Sequence, residues 1–235
     1  MYIQKTIVAG NFIYVKKYHA GAYGNRTQKS ERKKPTPERV AKINEKNAIE
    51  KLSWLLNANF KRGNDSHCTL TYKNETLPKP DEAKNILAGF LRKLRKGYKK
   101  EGKELKYVSV TEYKNKRLHH HIVLNDTNML SAVMRLWDKY GRVHAKILYT
   151  DDLSELAEYL IKETSKTFRS ENAIHGRRYT ASRNLTQPRI TTERIYFKKW
   201  RKPRALYKQA KLITYQEQIS SYDNRPILTA VYFKE

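Results

Sequence analysis

Residues 117–125 read RLHHHIVLN, which places three consecutive histidines at the start of a segment that otherwise has the composition of a buried β-strand. Alternate side chains of a strand lie on the same face of a sheet. His119 and His121 therefore point together, and His120 points to the opposite face with its apolar neighbours. Two imidazoles one pleat apart can both reach one metal ion. The segment predicts a strand with one apolar face and one metal-binding face.

The preceding segment supplies a third candidate ligand. Residues 104–113, ELKYVSVTEY, also predict a strand, and the polar loop KNKR joins it to the histidine strand as a hairpin. A four-residue loop places Glu112 directly opposite His119, with Cβ atoms roughly 5 Å apart. Two histidines and one carboxylate leave coordination positions open, which is typical of a catalytic divalent ion rather than a closed structural site.

Two alternatives to a metal site stay open at this point. A register slip of one residue would move Glu112 to the other face, and isolated histidines are most often surface or satisfied core residues. We favour the metal site because the chain has only seven histidines, so that three in a row are not expected by chance.

The remaining elements follow the order β-α-β-β-α-β, which is that of the ferredoxin-like split unit with an antiparallel sheet. Its members are a strand over 67–72 (HCTLTY), an amphipathic helix over 80–98, the two hairpin strands, a helix over 128–140 and a strand over 143–149. A further helix follows over 151–168. We predict an α+β fold, ferredoxin/RRM-like, with a central antiparallel sheet of about five strands, flanking helices and N- and C-terminal extensions.

The extensions give a domain prediction. Residues 1–60 are expected to form a hairpin, a basic segment and a helix that opens at Pro37 and packs on the core. Residues 61–190 form the catalytic core. Residues 191–235 are a basic C-terminal extension of the same domain, which contains the cluster KKWRKPR (198–204) and a closing strand over 228–235.

Charge indicates the partner. Lysine and arginine number 49 against 23 acidic residues, a formal charge of +26 that is spread over all 235 residues. Such an excess repels itself unless a polyanion shares the surface, and the usual polyanion is nucleic acid. A membrane surface is the alternative, but the sequence has no long apolar run or signal-peptide pattern. The single cysteine, Cys68, fits a packed strand thiol in a reducing cytoplasm.

A nucleic-acid enzyme with this metal site needs a nucleophile, and Tyr159 is the candidate. The pattern Tyr-x-x-Lys occurs at five positions, but only Tyr159 combines it with a clear helix shortly after the histidine strand. A phenol has a pKa near 10. Lys162 and Lys166 share its helix face, where they would favour the phenolate and receive a phosphate. The alternative is a half-buried helical tyrosine beside solvated lysines.

Together these segments resemble the HUH endonucleases, and specifically the rolling-circle replication initiator (Rep) proteins of bacterial plasmids and phages. The resemblance covers about residues 66–190. It rests on CTLTY, on TEYKNKRLHHH with its histidine–hydrophobe–histidine pattern, on YLIKE and on SRNL…P at 182–188. This chain has one tyrosine in the helical motif where some members have two. It has no GxxxxGK[ST] segment and so no helicase domain.

The resemblance implies a function and its site residues. It implies a Mg²⁺- or Mn²⁺-dependent nickase that cuts and rejoins single-stranded DNA through a 5′-phosphotyrosine at Tyr159, assisted by Lys162. It implies metal ligands at His119, His121 and Glu112. The implied DNA-binding residues are Thr69, Thr71, Tyr72, Arg117, Lys166 and Arg183. The implied partners are origin DNA, with hairpin DNA left open, and a host polymerase and helicase.

Other functions remain in competition. A conjugative relaxase or a single-strand transposase would use the same chemistry. A basic nucleic-acid-binding protein with the same fold and no catalysis would explain the charge equally well, although it would leave the histidines and Tyr159 unexplained. The sequence does not assign His67 or His144 to the site.

Overall fold

The computed structural model describes residues 1–19, 36–112, 117–165, 178–219 and 225–235. Its helices are α1 (Pro37–Asn59), α2 (Pro80–Lys100), α3 (Leu130–Trp137) and α4 (Ser154–Ser165), with a 3₁₀ turn over Thr127–Met129. Its strands are β1 (Tyr2–Ala9), β2 (Phe12–His19), β3 (Ser66–Thr71), β4 (Tyr107–Glu112), β5 (His119–Leu124), β6 (Val143–Ile147), β7 (Thr180–Ala181), β8 (Arg189–Ile195), β9 (Leu206–Tyr207), β10 (Ala210–Ile219) and β11 (Pro226–Phe233). Most of the basic segment after His19, most of the KNKR loop and Lys166 fall outside the described residues.

The chain divides into two compact units, one made of Lys42–Thr186 and the other of Met1–Ala41 with Gln187–Glu235. Lys42–Thr186 contains a five-stranded antiparallel sheet of order β6-β3-β5-β4-β7. The elements β3-α2-β4-β5-α3-β6 build four of its strands. The predicted α+β fold, with a central sheet of about five strands and flanking helices, is confirmed.

The two faces of this sheet differ in what covers them. On one face, the alternate residues Cys68, Leu70, Ile122 and Leu124 are buried in a core with α2 and α3. On the other face, Val108, Val110 and Val123 pack with α1 and α4. Helical burial follows the 3.6-residue period, as in α2, whose buried residues are Ala83, Leu87, Phe90, Leu91, Leu94 and Tyr98. The face toward α4 is the one that carries His119 and His121.

The second unit is built around a six-stranded antiparallel sheet of order β8-β1-β2-β11-β10-β9. The predicted N-terminal hairpin forms around Gly10, whose φ of 59° is a conformation that glycine adopts without strain. β1 pairs with β8, and β2 pairs with β11, so strands from both ends of the chain share one sheet. The sequence did not predict this pairing. Among the described residues, no helix has the length and apolar character needed to cross a membrane.

Candidate metal centre and nucleophile

Three candidate ligands converge on the α4-facing side of the sheet. β4 and β5 pair with Glu112 opposite His119, so the predicted hairpin register is confirmed. Glu112 Oε2 lies 3.1 Å from His119 Nε2 and 4.0 Å from His121 Nε2. The two Nε2 atoms are 3.1 Å apart. All three ligand atoms fall within 4.8 Å of one another, close enough to share one ion.

The hydrogen bond at the far side of the His119 ring fixes which nitrogen faces the cluster. His119 Nδ1 lies 2.7 Å from the carbonyl oxygen of Arg117. A carbonyl oxygen only accepts hydrogen bonds, so Nδ1 carries the proton, and the neutral ring presents the Nε2 lone pair to the cluster. A backbone carbonyl in this position is the usual partner of a metal-binding histidine.

The ring of His121 is held in the same way by the neighbouring strand β3. Its Nδ1 lies 3.2 Å from His67 Nε2 and 3.3 Å from Thr69 Oγ1. Burial, followed by the charges of Lys146 and His144, lowers the pKa of His67 to about 4. His67 is therefore neutral at physiological pH and can accept the Nδ1 proton of His121. The Nε2 lone pair of His121 then also faces Glu112, and this set of two imidazoles and one carboxylate suits a divalent cation.

His120, between the two candidate ligands, belongs to the other face of the sheet, as the alternation predicts. Its side chain is fully buried. Nε2 is 2.7 Å from the hydroxyl of Tyr72, and Nδ1 is 2.9 Å from the hydroxyl of Thr111. The middle histidine is therefore a core residue with polar partners on both ring nitrogens.

Tyr159 is placed by α4 at the edge of the candidate metal cluster. Its hydroxyl lies 3.4 Å from His121 Nε2, and the two ring centroids are 5.3 Å apart. The side chain is 42 % exposed, so the hydroxyl is reachable from solvent. This geometry brings the predicted nucleophile to the predicted ligands.

The expected effect of the lysines on Tyr159 is wrong. The pKa of Tyr159 is raised, mainly because burial disfavours the phenolate and also because of the negative charges of Glu163 and Glu112. Lys162 instead forms an exposed ion pair with Glu158, whose oxygen is 2.5 Å away, and this contact raises the pKa of Lys162. Two carboxylates near the site thus oppose the ionisation that the lysines alone would favour.

The other predicted DNA-binding residues occupy different environments. Thr69 and Thr71 are half-buried on the cluster face, and Thr71 Oγ1 donates to the carbonyl of Arg142 at 3.2 Å. Tyr72 is only 3 % exposed and faces the α2 core, so its ring does not line a surface channel. Arg117 is exposed, and its guanidinium donates to the carbonyl of Tyr72. Arg183 lines a separate cleft at the opposite end of β4 from Glu112.

A cleft of about 430 Å³ opens beside Tyr159 and contains residues that the sequence did not assign. His67 and His144 both line it, together with Lys146 and Tyr149. Tyr149 is 79 % exposed. β6 lies next to β3 in the sheet, with His144 opposite Thr69. The sequence signal was the alternation of His144 and Lys146, but it identifies the site only once the strand order is known.

Fold and site together define a class: α+β proteins with a histidine–carboxylate cluster on an antiparallel sheet and a tyrosine presented to it by a neighbouring helix. Residues 65–168 match the model of a family of replication-associated proteins of the ORF2 type. The match spans β3 to α4 and includes Glu112, both cluster histidines and Tyr159. It supports the resemblance to rolling-circle replication initiators, and the HUH superfamily is consistent with this family. Neither curated proteins nor solved structures give a significant match.

Proposed function

We propose that this protein is a site-specific nickase and ligase of single-stranded DNA that initiates rolling-circle replication through a 5′-phosphotyrosine intermediate. The observation that carries the proposal is the position of the Tyr159 hydroxyl, 3.4 Å from the inward-facing nitrogen of His121. The family match supports a replication role and DNA as partner. The chemistry itself is our inference from the site.

His119, His121 and Glu112 would hold the divalent ion, Mg²⁺ or Mn²⁺. When bound, such an ion supplies neutralisation of the charge that develops on the scissile phosphate. The chain prepares this site in advance, because Arg117 and His67 orient the two rings. Preorganised ligands avoid the cost of ordering during the reaction.

Tyr159 would supply the nucleophile. Its oxygen forms a bond to phosphorus as the bond to the 3′ oxygen of the neighbouring nucleotide breaks. The phenol gives up its proton, and the leaving oxygen gains one as the free 3′-hydroxyl. The phosphotyrosine ester conserves the energy of the phosphodiester, so reversal of the step rejoins DNA without ATP.

Lys162 and several other side chains would position the phosphate backbone. The ion pair of Lys162 with Glu158 is on the surface, where such pairs are weak, so the ammonium can exchange its partner for a phosphate. Thr69 and Thr71 lie on the cluster face, and Arg117 lies at its edge. We include Lys166 on its sequence position alone. The cleft beside Tyr159 would receive the nucleotides next to the nick, while Arg183 would contact DNA farther away.

A covalent-adduct assay tests this proposal. The protein is incubated with single-stranded DNA from its replicon origin, or with a randomised library, in Mn²⁺ or in EDTA, and is then run on a denaturing gel. We expect a shifted protein–DNA band that requires Mn²⁺ and is lost in Tyr159→Phe and His121→Ala. Tyr196→Phe is the matched control, because Tyr196 also begins a Tyr-x-x-Lys sequence and is 80 % exposed.

The same gel separates the alternatives. A band that persists in Tyr159→Phe would reject Tyr159 as nucleophile. Tight DNA binding with no band on any DNA would reject the nickase and favour a non-catalytic binding protein. A conjugative relaxase or a single-strand transposase would also give the band, and the family match favours the initiator over both.

A further inference from the structure

The connection between β8 and β9 has the most concentrated positive charge in the unit built around the six-stranded sheet. Residues 196–205 read YFKKWRKPRA. Trp200 fixes this segment on the sheet. Its ring meets Tyr2 edge-on at 5.5 Å between centroids and stacks on His19 at 4.9 Å, and its Nε1 donates to Glu217 at 3.2 Å. The basic side chains on either side of Trp200 are therefore held by a packed aromatic anchor.

A cleft of about 530 Å³ lies between this segment and the sheet. Its basic lining residues are Lys17, Lys199, Arg201, Lys202 and Arg204. Its floor is apolar and aromatic, and includes Tyr2, Leu228, Ala230 and Tyr232. No carboxylate is among the described residues that line it.

The charges in this cleft differ from an ordinary solvated lysine face. Lys17 is partly enclosed, with a pKa lowered by burial, and its Nζ donates to the carbonyl of Arg201 at 3.5 Å. The nearby Glu217 is already the acceptor for Trp200. Five cations that converge without an acid repel one another, and a chain of phosphates relieves this repulsion.

Exposed aromatic rings at the cleft indicate the form of nucleic acid. Phe197 lines the cleft and is 75 % exposed, and the adjacent Tyr196 is 80 % exposed. Aromatic rings beside a basic groove stack on unpaired bases, which a duplex does not offer.

We propose that this cleft is a second DNA-binding site, which holds the backbone of single-stranded DNA through its basic residues and stacks a base on Phe197. The site shares no residue with the Glu112, His119 and His121 cluster, and it goes beyond the nicking function proposed above. It explains what the KKWRKPR cluster does.

Binding of a labelled single-stranded oligonucleotide without origin sequence, measured by fluorescence anisotropy in EDTA, tests the site in the full-length protein. The variant Arg201→Gln/Lys202→Gln/Arg204→Gln removes three cleft cations. Lys93→Gln/Lys96→Gln/Lys100→Gln removes the same charge from exposed positions of α2. We expect about a tenfold loss of affinity and a salt dependence shallower by about two in the cleft variant, and a change of less than about threefold in the control.

A second pair of variants tests stacking. Phe197→Leu keeps an apolar side chain but removes the ring, and is expected to lose roughly tenfold in affinity, while Phe197→Tyr is expected to bind like the wild type. Equal losses in the cleft and control triple variants would overturn the proposal, as would full binding by Phe197→Leu or a preference of the wild-type cleft for duplex DNA.

Adduct formation on a short origin oligonucleotide is scored separately. The cleft variants are expected to retain it. Its absence from the wild type would reject the proposed nickase without touching the cleft, and unchanged DNA affinity in the cleft variants would reject the cleft without touching the nickase.

Discussion

His119, His120 and His121 are adjacent in sequence, but the pleat of β5 gives them two different environments. The outer two rings face Glu112 and α4, and the middle ring lies in the α2 core between Tyr72 and Thr111. Alternation is a local property of any strand, which is why the sequence alone separated the ligands from the core residue. The hydrogen-bond partners of each ring come from other elements and were not predicted.

Replacing His120 tests its role in the core. His120→Leu leaves the buried hydroxyls of Tyr72 and Thr111 without the imidazole, and we expect the free energy of unfolding to fall by about 1–3 kcal/mol. Urea denaturation measures this. The triple variant His120→Leu/Tyr72→Phe/Thr111→Val should recover much of the loss, because no hydroxyl is then left without its partner. A His120→Leu protein as stable as the wild type would contradict this role.

Replacing His67 tests the orientation of His121. His67→Leu removes the partner of Nδ1, and we expect Mn²⁺ affinity to fall about tenfold, as is typical when the residue behind a metal ligand is lost. Isothermal titration calorimetry measures the affinity, and His144→Leu in the same cleft is the control. Unchanged Mn²⁺ binding in His67→Leu would show that His121 does not depend on His67.

Lys162 shows where reasoning from residues stops. The i+3 spacing correctly placed it near Tyr159, but spacing does not say which partner a flexible ammonium selects. Glu158, one turn earlier, is also within reach, and the ion pair forms there. The raised pKa of Tyr159 has the same origin, because the burial of the hydroxyl and the approach of Glu112 are set by the packing of α4 on the sheet.

At the scale of elements, most strands and helices were predictable and their ends were not. α4 begins at Ser154 rather than at residue 151, because Asp152 accepts hydrogen bonds from the backbone and hydroxyl of Ser154, and Asn57 of α1 accepts from the backbone of Leu153. The contact with α1 is a tertiary one. The β4–β5 register was predictable because the loop length and the period-2 pattern fix it locally.

The approach of Gly141 to β3 gives a prediction at this scale. A Cβ at Gly141 would lie 1.9 Å from the carbonyl oxygen of Thr71, which also accepts from the Trp137 indole at 2.9 Å. Gly141→Ala must therefore displace the end of β3, and we expect a destabilisation of about 1–3 kcal/mol. Thermal unfolding measures it. Gly89→Ala, where the added Cβ meets nothing within 4 Å, is the matched control; equal stability of the two variants would contradict the close approach.

At the scale of the whole molecule, the six-stranded sheet was out of reach of the sequence. Its central pairings join Tyr2 to Ile195 and Tyr18 to Ile227, from opposite ends of the chain. Each strand was recognisable or nearly so, but no local pattern states which strands will pair. The cleft on this sheet was missed for the same reason, since its lining residues are scattered through the sequence.

A buried charge in the centre of that sheet tests its topology. Ala230 on β11 is 1 % exposed and lies opposite Val15 of β2 and Tyr215 of β10. We expect Ala230→Asp to destabilise this sheet strongly, because a carboxylate loses its hydration there. Hydrogen exchange should show faster exchange in β2, β10 and β11 together, with Ile213→Asp, at a 56 % exposed position of β10, as the control. Unchanged protection in Ala230→Asp would contradict the strand order.

The central claim is that Tyr159 forms the covalent bond to DNA, and locating the attached nucleotide by mass spectrometry tests it most directly. After nuclease trimming of the adduct, tryptic cleavage after Lys146 and Lys162 yields ILYTDDLSELAEYLIK, which contains both Tyr149 and Tyr159. Both tyrosines line the same cleft, so fragment ions between them must assign the site. We predict a nucleotide mass on Tyr159 and an unmodified Tyr149. A nucleotide on Tyr149, or on any residue outside this peptide, would contradict the account.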